Sequence, residues 1–269
     1  MSSFFSNKVV AITGGTDGIG KALVDAMIQA GAKVATCARH HDKIYNLQLE
    51  YTNVLLHAVV CDVSKEPECQ RFIDSTIETF GGIDILINNA GISMHALVSD
   101  MDVDVIRKVM DINFYGSVYC TKFALPTLLE RKGTVVGVSS IAGYRGLPGR
   151  SGYSASKFAL QGWLESLRTE LLEKDVHVMW VCPGFTASNI RNAALNEQGK
   201  SQGASPMDED KMMSAAECAE HILNAIEKKK RTLVLTFTGK RTVFMNKFFP
   251  GLADKFAHRF FFKDGKLVK

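Results

Sequence analysis

The 269 residues, 46% hydrophobic and 22% charged, have the composition of a folded globular chain and exclude a disordered, collagen-like or disulfide-held mini-protein. The formal net charge of +4 divides unevenly: residues 240–269 hold eight Lys/Arg and two Asp, which leaves the remainder slightly acidic and gives no nucleic-acid-binding face. No run of about 18 apolar residues occurs, residues 1–7 lack a basic and then apolar leader, and six scattered cysteines form no C-x-x-C pair. A cytoplasmic protein with reduced thiols is the expectation.

Short runs of β-branched and apolar residues fall at 9–13, 33–37, 54–60, 83–88, 134–138, 177–182 and 233–235. Most are apolar at consecutive positions, the pattern of strands covered on both faces of a parallel sheet. Between them, helical periodicity covers 19–30, 66–80, 103–131, 153–173 and 215–227, with Gly31 and Gly81 as stops and Ser64 as an amino cap. Alternating strands and helices with right-handed crossovers predict one doubly wound α/β domain over 1–239. The stretch 196–210, rich in Gly, Ser, Gln and acid, reads as a mobile insertion. Residues 240–269 form an extension.

Ligands of such sheets bind at the carboxyl ends of the strands. The first strand runs into Thr13, Gly14, Gly15, Thr16, Asp17, Gly18, Ile19 and Gly20, and a helix follows. Glycines there permit a tight turn and close approach of a pyrophosphate to amides at the helix start. The second strand ends Cys37, Ala38, Arg39. An acid at this place favours NAD, whereas Arg39 pairs with a 2′-phosphate, so NADP is expected and NAD is the alternative. Asp17 argues the other way, because a carboxylate in the glycine loop repels that phosphate. Asp62 and Val63, after the third strand, are placed to meet the adenine, although Asp62 equally suits a helix cap. Asn89, Ala90 and Gly91, after the fourth, leave room for a ribose.

The fifth strand ends in Ser139 and Ser140, and Tyr153 and Lys157 then stand four residues apart on one helix face. A phenol titrating near ~10 in solution is a poor acid–base group at neutral pH, and an adjacent ammonium lowers its pKa.

Taken together, the glycine loop, Asn88–Gly91, Asn113, Ser140, Tyr153 with Lys157, and Pro183-Gly184 resemble the short-chain dehydrogenase/reductase family over about residues 7–238. Within that family, 143–157 and the long tail are most similar to lipid-handling, hydroxysteroid-type and 3-ketosphinganine reductase-like members. The resemblance implies a Rossmann fold with a seven-stranded parallel sheet, and a catalytic tetrad of Asn113, Ser140, Tyr153 and Lys157. Tyr153 would exchange the proton with the carbonyl or hydroxyl oxygen and Ser140 would stabilise charge on it. Lys157 would lower the tyrosine pKa and bind the nicotinamide ribose, and Asn113 would hold a water linking Lys157 to solvent. Pro183, Gly184 and Thr186 or Ser188 would contact the nicotinamide carboxamide. The family also implies homodimers or homotetramers packed through the long helices bearing Asn113 and Tyr153.

The remaining signals are weaker. His40 and His41 are adjacent, a poor metal spacing, so no metal site is expected. His95 reads as a polar loop residue, and Lys228–Arg231 as a solvated helix end. In the tail, Met245, Phe248, Phe249, Leu252, Phe256 and Phe260 recur at mostly helical spacings with Lys247, Lys255 and Arg259 between them. This predicts a basic amphipathic helix pair broken near Pro250-Gly251, which either packs onto protein or makes peripheral contact with anionic lipid. The overall expectation is hydride transfer between NADP(H) and a ketone or secondary alcohol of an apolar small molecule. The competing readings are an NAD-linked alcohol dehydrogenase and a non-catalytic dinucleotide-binding regulator.

Overall fold

The structure, a computed structural model, describes residues 3–52, 54–203 and 212–268. Strand β1, Val9–Thr13, is buried at all five positions, as its unbroken apolar run requires. It pairs in parallel with β2 (Lys33–Ala38) on one side and β4 (Ile85–Asn88) on the other. With β3 (Leu56–Val60), β5 (Thr134–Val138), β6 (His177–Cys182) and β7 (Thr232–Val234), they form a parallel seven-stranded sheet in the order β3-β2-β1-β4-β5-β6-β7. The chain winds outward in both directions from β1, which opens a crevice at the carboxyl ends where the order reverses.

Helices cover both faces. Leu23, Val24 and Met27 of α1 (Gly18–Gln29) and Ile222 and Ile226 of α7 (Ala215–Glu227) pack on one side of the sheet. On the other lie α3 (Glu66–Phe80), α5 (Gly116–Glu130) and α6 (Ser151–Glu170), with Phe72, Leu128, Leu160 and Leu164 fully buried. Each such side chain stabilises the fold by about 2 kcal/mol of removed apolar surface. All six cysteines are buried and free of disulfides.

Several expectations shift. A helix α2, His41–Glu50, was not anticipated: only Ile44 and Leu47 face inward, too few to give a helical period. The cap of α3 is Lys65, because the Ser64 hydroxyl turns back to Asp62 Oδ1 at 2.8 Å. Gly31 and Gly81 do end their helices, at φ +77 and +79. The helix expected over 103–131 is divided into α4 (Val103–Met110), one π turn (Asp111–Tyr115) and α5. In the stretch 196–210, residues 204–210 lie outside the described residues. The part before them is held to the body, since Leu195 bridges both Met94 and Ser201. The tail forms α8 (Phe237–Phe248), α9 (Pro250–Phe261) and a short hairpin of β8 (Phe262–Lys263) and β9 (Lys266–Leu267). Helix α9 segregates apolar from basic residues, as expected. Helix α8 does not: Phe237, Phe244 and Phe248 share an exposed face with Arg241, and only Gly239 is buried.

Candidate active site

The carboxyl ends of β1 to β6 and the tail enclose one cavity of about 1020 Å³. At one end the backbone turns through Gly14 (φ +73) and Gly18 (φ +52) into α1. A Cβ on Gly20 would lie 2.0 Å from the Gly14 carbonyl oxygen, so only glycine lets this loop fold onto the helix start. The loop is braced from β4: Asn89 Nδ2 donates to the Thr13 and Gly14 carbonyls at 3.0 and 3.2 Å, and the Asn89 and Ala90 amides donate to Thr13 Oγ1 at 3.0 Å. Thr16, Asp17, Gly18 and Ile19 line the cavity at the amino end of α1, whose free N–H groups and dipole favour an anion.

Beside this loop stand Arg39, His40 and Lys43. Arg39 Nε donates to His40 Nε2 at 3.2 Å, and Lys43 Nζ forms an ion pair with Asp17 at 2.9 Å. The carboxylate that argued against a 2′-phosphate is therefore offset by a cation from α2. Asp62 Oδ1 accepts from the Ser64 amide and hydroxyl, and the Asp62 amide donates to Glu68, so Asp62 forms a turn while it and Val63 line the crevice.

At the other end, Gly137 lets α6 approach the sheet: a Cβ there would lie 2.4 Å from Leu164 Cδ1. The first three turns of α6 bring Tyr153, Lys157 and Gln161 onto one face. Gln161 Nε2 donates to Ser139 Oγ at 2.8 Å and, more weakly, to the Ser140 carbonyl at 3.4 Å, which ties α6 to the end of β5. Ser140 caps a short 3-10 turn, its Oγ accepting from the Ala142 amide at 3.1 Å.

The Tyr153 phenol is pushed above its ordinary value by burial, against which the Ser140 hydroxyl hydrogen bond and then the Arg150 charge pull it down. The Lys157 amine is itself lowered to about 8 by burial and donates to the Val138 carbonyl at 2.8 Å. It lies 5.7 Å from the Tyr153 ring centroid. The influences that lower the phenol here are the Ser140 hydrogen bond and then the Arg150 and Arg191 charges, while the Lys157 amine is engaged with the β5 carbonyl.

The π turn directs the fully buried Asn113 amide at the loop after β4, where Oδ1 accepts from the Ile92 amide at 2.8 Å and Nδ2 donates to the Ile92 carbonyl and Ser156 Oγ at 3.0 and 2.9 Å. Both amide N–H groups are used by protein, so the Asn113 side chain fixes the strand end. A Cβ on Gly91 would stand 3.2 Å from Asn113 Oδ1 and 3.5 Å from Lys157 Nζ, so these groups meet at the Gly91 backbone.

Pro183, Gly184, Thr186 and Ser188 close the cavity after β6. Thr186 is buried and paired with Met213 across an isolated bridge, whereas Ser188 stands against Gly18 of the loop. The tail supplies the last wall. Arg145 holds it through Asp254 at 2.6 Å and Asn246 at 3.0 Å, and Phe260 stacks on Phe185 with centroids 6.3 Å apart. Gln161 and Lys43 were not singled out from sequence, whereas Met245, Phe256, Arg259 and Phe260 of the tail wall were. Gln161 was within reach, being the third member of the stripe Tyr153, Lys157, Gln161. His95 binds Leu195 through its amide and does not line this cavity.

A dinucleotide-type crevice joined to a Ser-Tyr-Lys face defines an oxidoreductase class of site. The sequence profile of the short chain dehydrogenase family matches residues 8–199, and the chain belongs to that family. It is 36% identical over 258 residues to "Dehydrogenase/reductase SDR family member 7B" of Mus musculus, covering 93% of this chain and 80% of that one. It is also 36% identical over 239 residues to "11-beta-hydroxysteroid dehydrogenase 1A" of Arabidopsis thaliana, covering 83% and 67%. Among solved structures, a short chain dehydrogenase/reductase from Burkholderia phymatum in complex with NAD superposes with TM-score 0.83 at 22% identity, covering 94% of this chain and 96% of that one. A short chain dehydrogenase from Burkholderia cenocepacia in complex with NADP gives 0.79 at 22%, covering 94% and 98%.

Proposed function

We propose that this oxidoreductase moves a hydride between NADP(H) and the ketone or secondary alcohol of an apolar, lipid-like molecule. The observation that carries the reading is a single cavity with Arg39 and Lys43 at one end and Ser140, Tyr153 and Lys157 at the other. The glycine cradle fits a nucleotide: the close approach at Gly20 and the free amides of α1 suit a pyrophosphate, and Arg39 with Lys43 suits a 2′-phosphate. A bound nicotinamide supplies or accepts the hydride.

The chain's own groups handle the proton and the position of the reacting oxygen. One lone pair of Ser140 Oγ is taken by the Ala142 amide, which leaves its O–H to donate to the phenol or to a substrate oxygen. Tyr153 gives its proton to that oxygen during reduction and takes it back during oxidation. Lys157, bonded to β5, adds a buried cation that favours the phenolate once a ribose draws the amine toward the crevice. Asn113 keeps the Ile92 segment in register as a positioning residue. Apolar Ile141, Leu147, Met245 and Phe256 on the same wall suit an aliphatic or polycyclic substrate.

The tail adds a second part to the proposal. Phe237, Phe244, Phe248, Phe249 and Leu252 are exposed beside Lys240, Lys247 and Lys255, a combination suited to anionic lipid. No helix among the described residues is long and apolar enough to cross a membrane. Exposed Tyr115 and Phe158, on the helical segments that carry Asn113 and Tyr153, suit the homodimer or homotetramer implied by the family. The reading is tested by incubating the pure chain with NADPH or NADH and a carbonyl and lipid-extract panel. It predicts NADPH consumption by at least one apolar carbonyl, and consumption of NADH alone would return the NAD-linked alternative.

A further inference from the structure

The arginines are distributed unevenly around the cavity. Among the described residues the only carboxylates on its wall, Asp17 and Asp62, are at the nucleotide end and are held by Lys43 and by Ser64. The wall also carries Arg150 just before α6, Arg191 after β6, and Arg241 and Arg259 of the tail. Arg150 lies over the Phe261 ring at 5.3 Å, and Arg191 donates to the Thr186 carbonyl at 2.7 Å. Both act electrostatically on the Tyr153 phenol, so their charge reaches the reacting position. Arg145 is neutralised by Asp254, but Arg241 of α8 and Arg259 of α9 form no ion pair among the described residues. They flank Met245, Phe256 and Phe260, so cation and apolar surface share one rim. The nucleotide does not account for them, because its phosphates are addressed by the glycine loop, Arg39 and Lys43.

We propose that the substrate is an anionic amphiphile, an apolar carbonyl or alcohol carrying a phosphate or carboxylate group, and that Arg241 and Arg259 receive that anionic group. The inference rests on the oxidoreductase reading and narrows its substrate class. Guanidinium forks bind phosphate and carboxylate in two-pronged geometry, and they are strongest where surrounding apolar groups exclude water. An uncharged ketone of the same length would fill the apolar wall and leave these donors to solvent.

The test uses binding, which needs no turnover and so separates failure of this inference from failure of carbonyl reduction. Octyl phosphate, octanoate, octanol and inorganic phosphate are titrated calorimetrically, below micelle concentrations and without vesicles, into the full chain with and without NADP. Octyl phosphate and octanoate are expected to bind at least ~10-fold tighter than octanol, about the margin of one charge-assisted hydrogen bond. Arg241→Ala with Arg259→Ala, both at exposed positions, should remove most of that margin and leave octanol unchanged, while Arg→Lys at both should restore part of it. Equal binding of octanol, a margin that survives the double variant, or inorganic phosphate binding as tightly as octyl phosphate would each overturn the proposal.

Discussion

Lys43 of α2 reaches across to Asp17 in the glycine loop and pairs with it at 2.9 Å. This contact reverses the meaning of an acidic residue that alone signals against a 2′-phosphate. Both side chains are partly solvent-exposed, so the pair adds little to stability, and under the proposed NADP reading its consequence lies in cofactor choice. Lys43→Ala should therefore expose the carboxylate, remove one cation and weaken NADPH by at least ~10-fold, with NADH nearly unchanged. Arg39→Ala should act in the same direction. Equal loss for both nucleotides in a fluorescence titration would contradict the assignment.

The burial of Lys157 has a signature in pH. Its amine titrates near 10.5 when unfolded and about 8 when folded, because burial disfavours the charged form. Below pH 8 both states hold the proton and the folded chain bears the full cost, an upper bound of about 3 kcal/mol. Between pH 8 and 10.5 the folded state releases its proton first and stability rises with pH. Chemical denaturation across this window should show a wild-type rise that Lys157→Met lacks, and parallel curves for the two would refute it.

Close approach at Gly137 brings the Tyr153 helix to the sheet. A methyl group there meets Leu164 at 2.4 Å. Gly137→Ala should destabilise the fold by about 1–3 kcal/mol, the usual cost of overfilling a packed core. It should also lower turnover by displacing α6. A denaturation midpoint equal to that of wild type would show that the helix yields freely.

The exposed tail phenylalanines are open to a direct measurement. Phe244 and Phe248 sit with ring centroids 4.8 Å apart on the outside of α8. Replacing both with Glu should leave the fold intact and reduce co-sedimentation with anionic vesicles several-fold. Retention equal to wild type would remove the lipid-contact proposal and leave a protein partner for this face.

The strands and both helical layers were readable because parallel strands are apolar at consecutive positions and their helices bury regular stripes. Gly14, Gly18 and Gly20 were readable for a backbone reason, and Tyr153 with Lys157 through their spacing. What escaped depended on contacts between distant segments. Helix α2 has too few apolar residues to announce itself, so Lys43 and its hold on Asp17 were invisible. The π turn at Asn113 presents its amide to the Ile92 backbone, a distant contact that no local pattern encodes. The pull on the Tyr153 phenol comes first from Ser140 at the end of β5 and then from Arg150 and Arg191, groups from separate segments that the fold brings together. Helix α8 began earlier than the charge pattern suggested, because Thr236 caps it through the Gly239 amide at 3.1 Å.

Loss of NADPH absorbance in the presence of a reducible carbonyl, measured for wild type and Tyr153→Phe side by side, tests the role of Tyr153 most directly. Removing one hydroxyl should leave NADPH affinity nearly unchanged and lower turnover by at least ~100-fold, the scale of a lost acid–base group. Turnover by the phenylalanine variant at the wild-type rate would show that the proton comes from elsewhere and that the role given to Tyr153 is wrong.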